Sequence, residues 1–131
     1  VGVFVGVTYT DPNLGTVVFR QHFPTGTVAT DIQAYVIDDP AVIFQAQADA
    51  SVAQAGLGAC TFFAAAQSDT TGSTTTGNST SALDATVTTN QDAFKIVGFV
   101  DSPTSTVGDA FTDILVKFNP VAHAYTSGVG I

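Results

Sequence analysis

The sequence predicts an all-β fold, a small β-sandwich or β-barrel with at most one short helix, from three observations. β-branched and aromatic residues crowd short windows, most densely in Phe94 to Val100 and Phe111 to Phe118, where helix-favouring neighbours are nearly absent. Clusters of Asp, Asn, Gly, Pro, Ser and Thr separate these windows at short intervals, the spacing of an antiparallel β domain rather than of alternating strands and long helices. All eleven acidic residues are Asp and none is Glu. Asp favours turns and caps whereas Glu favours helix interiors, so the chain is expected to be rich in turns and poor in helix.

The elements follow in order. Val1 to Tyr9 alternates Val1, Val3, Val5, Val7 and Tyr9 against Gly2, Phe4, Gly6 and Thr8, a strand whose glycines admit the close approach of another backbone. Thr10 to Gly15 is dense in turn formers and Thr16 to Phe23 resumes β character, which makes a hairpin. Pro24 to Thr30 is a connection and Ile32 to Ile37 the next strand, ended by Asp38-Asp39-Pro40 because proline lacks a ladder donor. Val42 to Gln47 is a further strand. Asp49 to Gly58, rich in Ala and Gln, is the single stretch suited to a helix, of two turns at most.

Thr61 to Ala66 reads as a short buried strand, and residues 68–81 as an exposed Thr/Ser/Gly loop or arm without a large apolar side chain before Ser81. Leu83 to Thr88 is a weak strand, Thr89 to Asp92 a turn, and the two strong strands follow, joined by the polar segment Asp101 to Asp109. In the last strand Thr112, Ile114, Val116 and Phe118 share the core face. Residues 120–131 form a tail. The count is about seven to nine short strands in a single domain spanning residues 1–131.

Charge and length bound the function. A chain of 131 residues can bury a sizeable core without staples. Its two Lys (Lys95, Lys117) and one Arg (Arg20), against a net charge of −8, cannot neutralise a phosphate backbone, so nucleic acid is not an expected partner. No apolar run approaches the roughly 20 residues of a membrane helix, and no membrane association is expected. Val1 to Val7 lacks the basic front of a secretory signal, and the absence of an initiator Met is read as residues before Val1 that were removed or not seen. Cys60, the only cysteine, excludes an intrachain disulfide and reads as a small buried apolar side chain among Ala59, Thr61, Phe62 and Phe63.

No constellation of catalytic residues emerges. Asp38-Asp39 with Asp109 and Asp113 has the oxygen chemistry of a calcium site but not its loop pattern, and turn chemistry is preferred. His22 and His123 lack metal partners at ligand spacing. Asp69-Thr70-Thr71-Gly72 departs from the Asp-Thr-Gly of aspartic proteases by an extra Thr, and no carboxylate pair stands in a glycosidase cleft pattern. No phosphate loop, nucleophile elbow or Cys-x-x-Cys occurs. The chain is not expected to be an enzyme, and no catalytic residue, cofactor or metal is assigned. Asn78-Ser79-Thr80 matches a glycosylation acceptor of a kind that arises by chance in such tracts.

Taken together, Val1-Gly2-Val3-Phe4-Val5-Gly6-Val7-Thr8-Tyr9-Thr10-Asp11, Ala34-Tyr35-Val36-Ile37-Asp38-Asp39-Pro40, Ser51-Val52-Ala53-Gln54, Lys95-Ile96-Val97-Gly98-Phe99 and Gly108-Asp109-Ala110-Phe111-Thr112 resemble landmarks of small capsid decoration (cement) proteins of tailed bacteriophages, of the marine and cyanophage type. The resemblance implies a virion protein on the outer surface of the capsid. Its partner would be the major capsid protein, with self-association as a trimer or cluster on the shell's symmetry axes. Contact residues are expected in exposed, adaptable segments: Val1, Gly2 and Val3; Thr74, Thr75, Thr76, Gly77 and Asn78; and Tyr125, Val129 and Ile131. The alternative is a secreted or tail-fibre β binding module, an adhesin or carbohydrate-binding domain, which the absence of Trp weakens.

Overall fold

The computed structural model describes residues 2–64, 72–73 and 75–122. Its regular elements are seven strands: β1 (Val3–Thr10), β2 (Val17–Arg20), β3 (Gln33–Ile37), β4 (Phe44–Gln47), β5 (Cys60–Thr61), β6 (Phe94–Phe99) and β7 (Asp113–Phe118). They form two antiparallel sheets, ordered β2-β1-β3 and β4-β7-β6-β5. The fold is all-β. Where a helix was expected, Asp49 to Gly58, only Gln54–Gly56 coils, as one turn of 3-10 helix. Ala53 precedes that turn with no side-chain cap, and so short a segment has too few hydrogen bonds to nucleate an α-helix. Among the described residues no helix is long and apolar enough to cross a membrane.

Contacts gather the chain into two compact units, Pro40–Thr70 with Thr80–Ile131, and Gly2–Asp39 with Thr71–Ser79. In the larger unit the anticipated face of β7 is the core: Thr112, Ile114, Val116 and Phe118 are all essentially inaccessible. Phe94 opposes Phe118 and Ile96 opposes Val116 across β6–β7, while Phe44 and Ala46 of β4 oppose Val116 and Ile114. Rings stack through this layer, with Phe44 and Phe118 edge to face at 5.2 Å, Phe94 and Phe118 at 5.7 Å, and Phe63 and Phe94 at 5.2 Å. Val52, Ala48, Leu83 and Ala64 complete it. The strand expected over Thr61 to Ala66 is shorter and earlier, Cys60–Thr61, and Leu83 and Thr88 contribute isolated bridges rather than a strand. Cys60 is half-buried, not buried, and its Sγ accepts the Asn119 Nδ2 donor at 3.4 Å.

In the smaller unit β1 is the central strand, hairpinned to β2 through Asp11 to Gly15 and flanked on its other side by β3. Asp11 makes the turn: its carboxylate accepts the amides of Asn13 and Leu14 at 2.9 and 3.3 Å, and Gly15 closes it at φ +66°. The strict alternation read from the sequence breaks at Val5. The register moves from Phe4↔Val36 to Gly6↔Tyr35, so Val5 is the extra residue of a β-bulge. Phe4 therefore shares a face with Val7 and Tyr9, and Val3 with Gly6 and Thr8. Gly6 accommodates the ring of Phe19, which a Cβ would strike, and the expected neighbouring backbone as well, with the Arg20 carbonyl oxygen 3.2 Å from where that Cβ would sit.

Candidate interaction surface

Two features of the smaller unit stand out. The first is the sheet face carrying Val3, Gly6, Thr8, Val17, Phe19, Gln33, Tyr35 and Ile37, read from the cross-strand register. The strand residues on it, Thr10 opposite Val17 included, are uncharged, with the Asp31 carboxylate held by the Thr10 hydroxyl at one corner, and Val17, Phe19, Tyr35 and Ile37 are exposed at 71, 60, 44 and 37%. Phe19 and Tyr35 face one another above Gly6 at 6.1 Å, and the Tyr35 hydroxyl lies 3.4 Å from Thr8 Oγ1. Charge depletion with aromatic enrichment is the composition of an interface centre rather than of ordinary surface. The opposite face is buried at Val7 and Tyr9, where Phe23 packs its edge on the Tyr9 ring at 5.3 Å.

The second feature is a concave site of about 800 Å³ whose lining includes Tyr9, Asp11, Arg20, His22, Thr25 and Thr75. Arg20 Nη2 lies 3.6 Å from Asp11 Oδ2. The turn amides take the other oxygen, Oδ1, and the guanidinium and the His22 imidazole are among the polar groups of the lining, a set that suits a ligand rich in hydroxyl or carboxylate oxygen.

The contact residues expected from sequence are placed as follows. Val3 opens β1 and Gly2 precedes it, where a Cβ on Gly2 would strike Val36. Thr75 lines the concave site. Thr76, Gly77 and Asn78 belong to a tight turn in which Gly77 N–H donates to Ser73 O at 2.7 Å and Ser73 N–H to Asn78 O at 2.9 Å. Gly77 has φ +76°, and a Cβ there would come within 3.0 Å of Gln21 Cβ. These residues join one compact unit with β1. Val1, Thr74, Tyr125, Val129 and Ile131 lie outside the described residues, as does His123.

Sequence reading missed Phe19, Tyr35 and Val17, which sit at alternate positions of ordinary strands and become one surface only through cross-strand register. It also missed Arg20, whose standing as the sole Arg was the available signal. Among the described residues no group of three or more His, Cys, Asp or Glu side chains is placed to hold a metal ion. Asp38, Asp39, Asp109 and Asp113 form no such group, and Asp109 instead closes a turn by accepting the Thr106 amide at 2.7 Å.

No protein-family model, curated protein or solved structure matches the chain.

Proposed function

We propose that the chain is a bacteriophage capsid decoration protein, which binds the outer surface of the major capsid protein lattice and stabilises the head. The observation that carries this reading is the ordered set of landmarks, from Val1-Gly2-Val3 through Ala34 to Pro40 to Gly108 to Thr112, spread over most of the chain. It is supported by the smaller unit, where the start of β1 and the 75–78 turn, both expected at the contact, belong to one body bearing an exposed aromatic face. Such a protein needs contact surface and no catalysis. A ligand that binds only the assembled lattice shifts the assembly equilibrium toward it. Self-association as a trimer or cluster on symmetry axes follows from the lattice's own symmetry.

Copy number tests this directly. Quantitative mass spectrometry of gradient-purified particles is expected to give a simple ratio of this chain to the major shell protein, such as one to one or one to three. Recovery of a handful of copies per particle, or only in an extracellular fraction without particles, overturns it.

The concave site with Arg20 and His22 favours a second reading, a β module that binds an oxygen-rich ligand such as a saccharide. Saturable binding on a glycan array, lost in Arg20→Gln, would decide for this reading over the first.

A further inference from the structure

The outer face of the larger unit's sheet carries a polar row that core packing does not explain. Lys95 and Lys117 stand directly opposite one another on β6 and β7, Cys60 of β5 stands opposite Lys95 on its other side, and Thr88 bridges to Cys60. Strand alternation puts these side chains on the face away from the buried Thr61, Phe94, Val116 and Phe118. Lys95 is exposed, while Lys117, Cys60 and Thr88 are half-buried.

The two lysines are the only ones in a chain with eleven Asp. Among the described residues neither is within ion-pair distance of a carboxylate. Asp92, close to the far end of the row, instead accepts the Thr88 hydroxyl. Like charges directly opposite are destabilising, so the placement weakens the sheet unless something neutralises it. A second observation concerns Asn119, two residues beyond Lys117 on the same face and only 8% exposed. Its Nδ2 donates to Cys60 Sγ at 3.4 Å and, among the described residues, to nothing else. A thiol is a weak acceptor, whereas a buried amide ordinarily finds a full partner. Two ammonium groups and an under-used amide donor therefore lie along one row that holds no carboxylate.

We propose that the Lys95–Lys117 pair binds one compact dianion, a phosphate or sulfate group, with Asn119 Nδ2 as a further donor. A carboxylate cancels one of the two positive charges. A dianion cancels both and brings an oxygen to each ammonium group. A single such group needs no longer basic tract, unlike a nucleic-acid backbone. The inference rests on β5, β6 and β7 and on neither reading of function, so each can fail alone.

The test titrates the full chain with inorganic phosphate, phenyl phosphate and acetate at about pH 8, where phosphate groups carry close to two charges. Ionic strength is held constant with sodium chloride. NMR follows the two lysine side-chain signals, assigned with Lys95→Thr and Lys117→Thr, and the Asn119 side-chain amide. Inorganic phosphate is expected to shift all three saturably and to bind about tenfold more tightly than acetate. Each lysine substitution is expected to weaken phosphate binding about fivefold while leaving the backbone amide spectrum of the core strands in place. Shifts that follow ionic strength alone, equal binding of acetate and phosphate, or phosphate binding undiminished in both variants overturns the proposal. Phenyl phosphate binding as tightly as the inorganic ion supports a group carried on a larger ligand, and its exclusion while the inorganic ion binds supports the free ion.

Discussion

Thr112 is fully buried, and its hydroxyl serves two backbone groups at once, accepting the Val52 amide and donating to the Asp109 carbonyl, each at 3.0 Å. Thr112→Val keeps the shape and strips both bonds, leaving a buried amide without a partner, so urea denaturation is expected to show a loss of about 1–3 kcal/mol. Thr112→Ser, which keeps the hydroxyl, is expected to lose less. Asp31 offers a pH-dependent counterpart. The Thr10 hydroxyl, and then the Thr10 amide, hold its carboxyl below the usual carboxylate value against a smaller opposing effect of desolvation. The stabilisation from this contact is therefore complete above the unfolded-state value of about 3.9 and fades as pH falls through the lower folded-state value. The Thr10 amide resonance is expected to report that step in an acid titration, and a midpoint at or above the value of a free Asp would refute the contact.

At the level of elements, the β6–β7 pair holds the larger unit together. Phe118 lies between Phe44 and Phe94 and is 1% exposed. Phe118→Ala is expected to cost about 3–5 kcal/mol, read as a fall in the denaturation midpoint with the slope unchanged. On the outer face of the same pair the chain's two lysines, Lys95 and Lys117, stand directly opposite one another. A double-mutant cycle with Lys95→Thr and Lys117→Thr is expected to return a repulsive coupling of about 0.3 kcal/mol at low salt that disappears at high salt. An attractive coupling would show that a bound anion or a nearby Asp bridges the two.

Over the whole molecule, net charge governs association. A net charge of −8 opposes non-specific association of copies at neutral pH, so turbidity is expected to peak near the sequence isoelectric point of about 4.1. Aggregation centred at neutral pH would mean that the apolar β3 edge and the Phe19–Tyr35 face overcome that repulsion. Much of the fold was legible without coordinates. The β windows, the Asp11 to Gly15 turn and the core face of β7 follow from side-chain period and turn chemistry, which act over a few residues. The candidate surface was legible only in part. Gly2, Val3 and Thr75 to Asn78 were named for exposure, but nothing local marked Phe19, Tyr35 or Arg20 as belonging with them. By itself the amino-acid order determined most of the strand segments, though not the extent of β5 or the reduction of Leu83 to Thr88 to isolated bridges, and it determined that Asp would sit in turns and at strand ends. Only the tertiary structure decided the bulges at Val5 and Val97, the grouping of the 72–79 turn with β1, and the outer position of β3. Each of these is set by pairing between residues far apart in the chain, where register rather than composition chooses which side chains share a face.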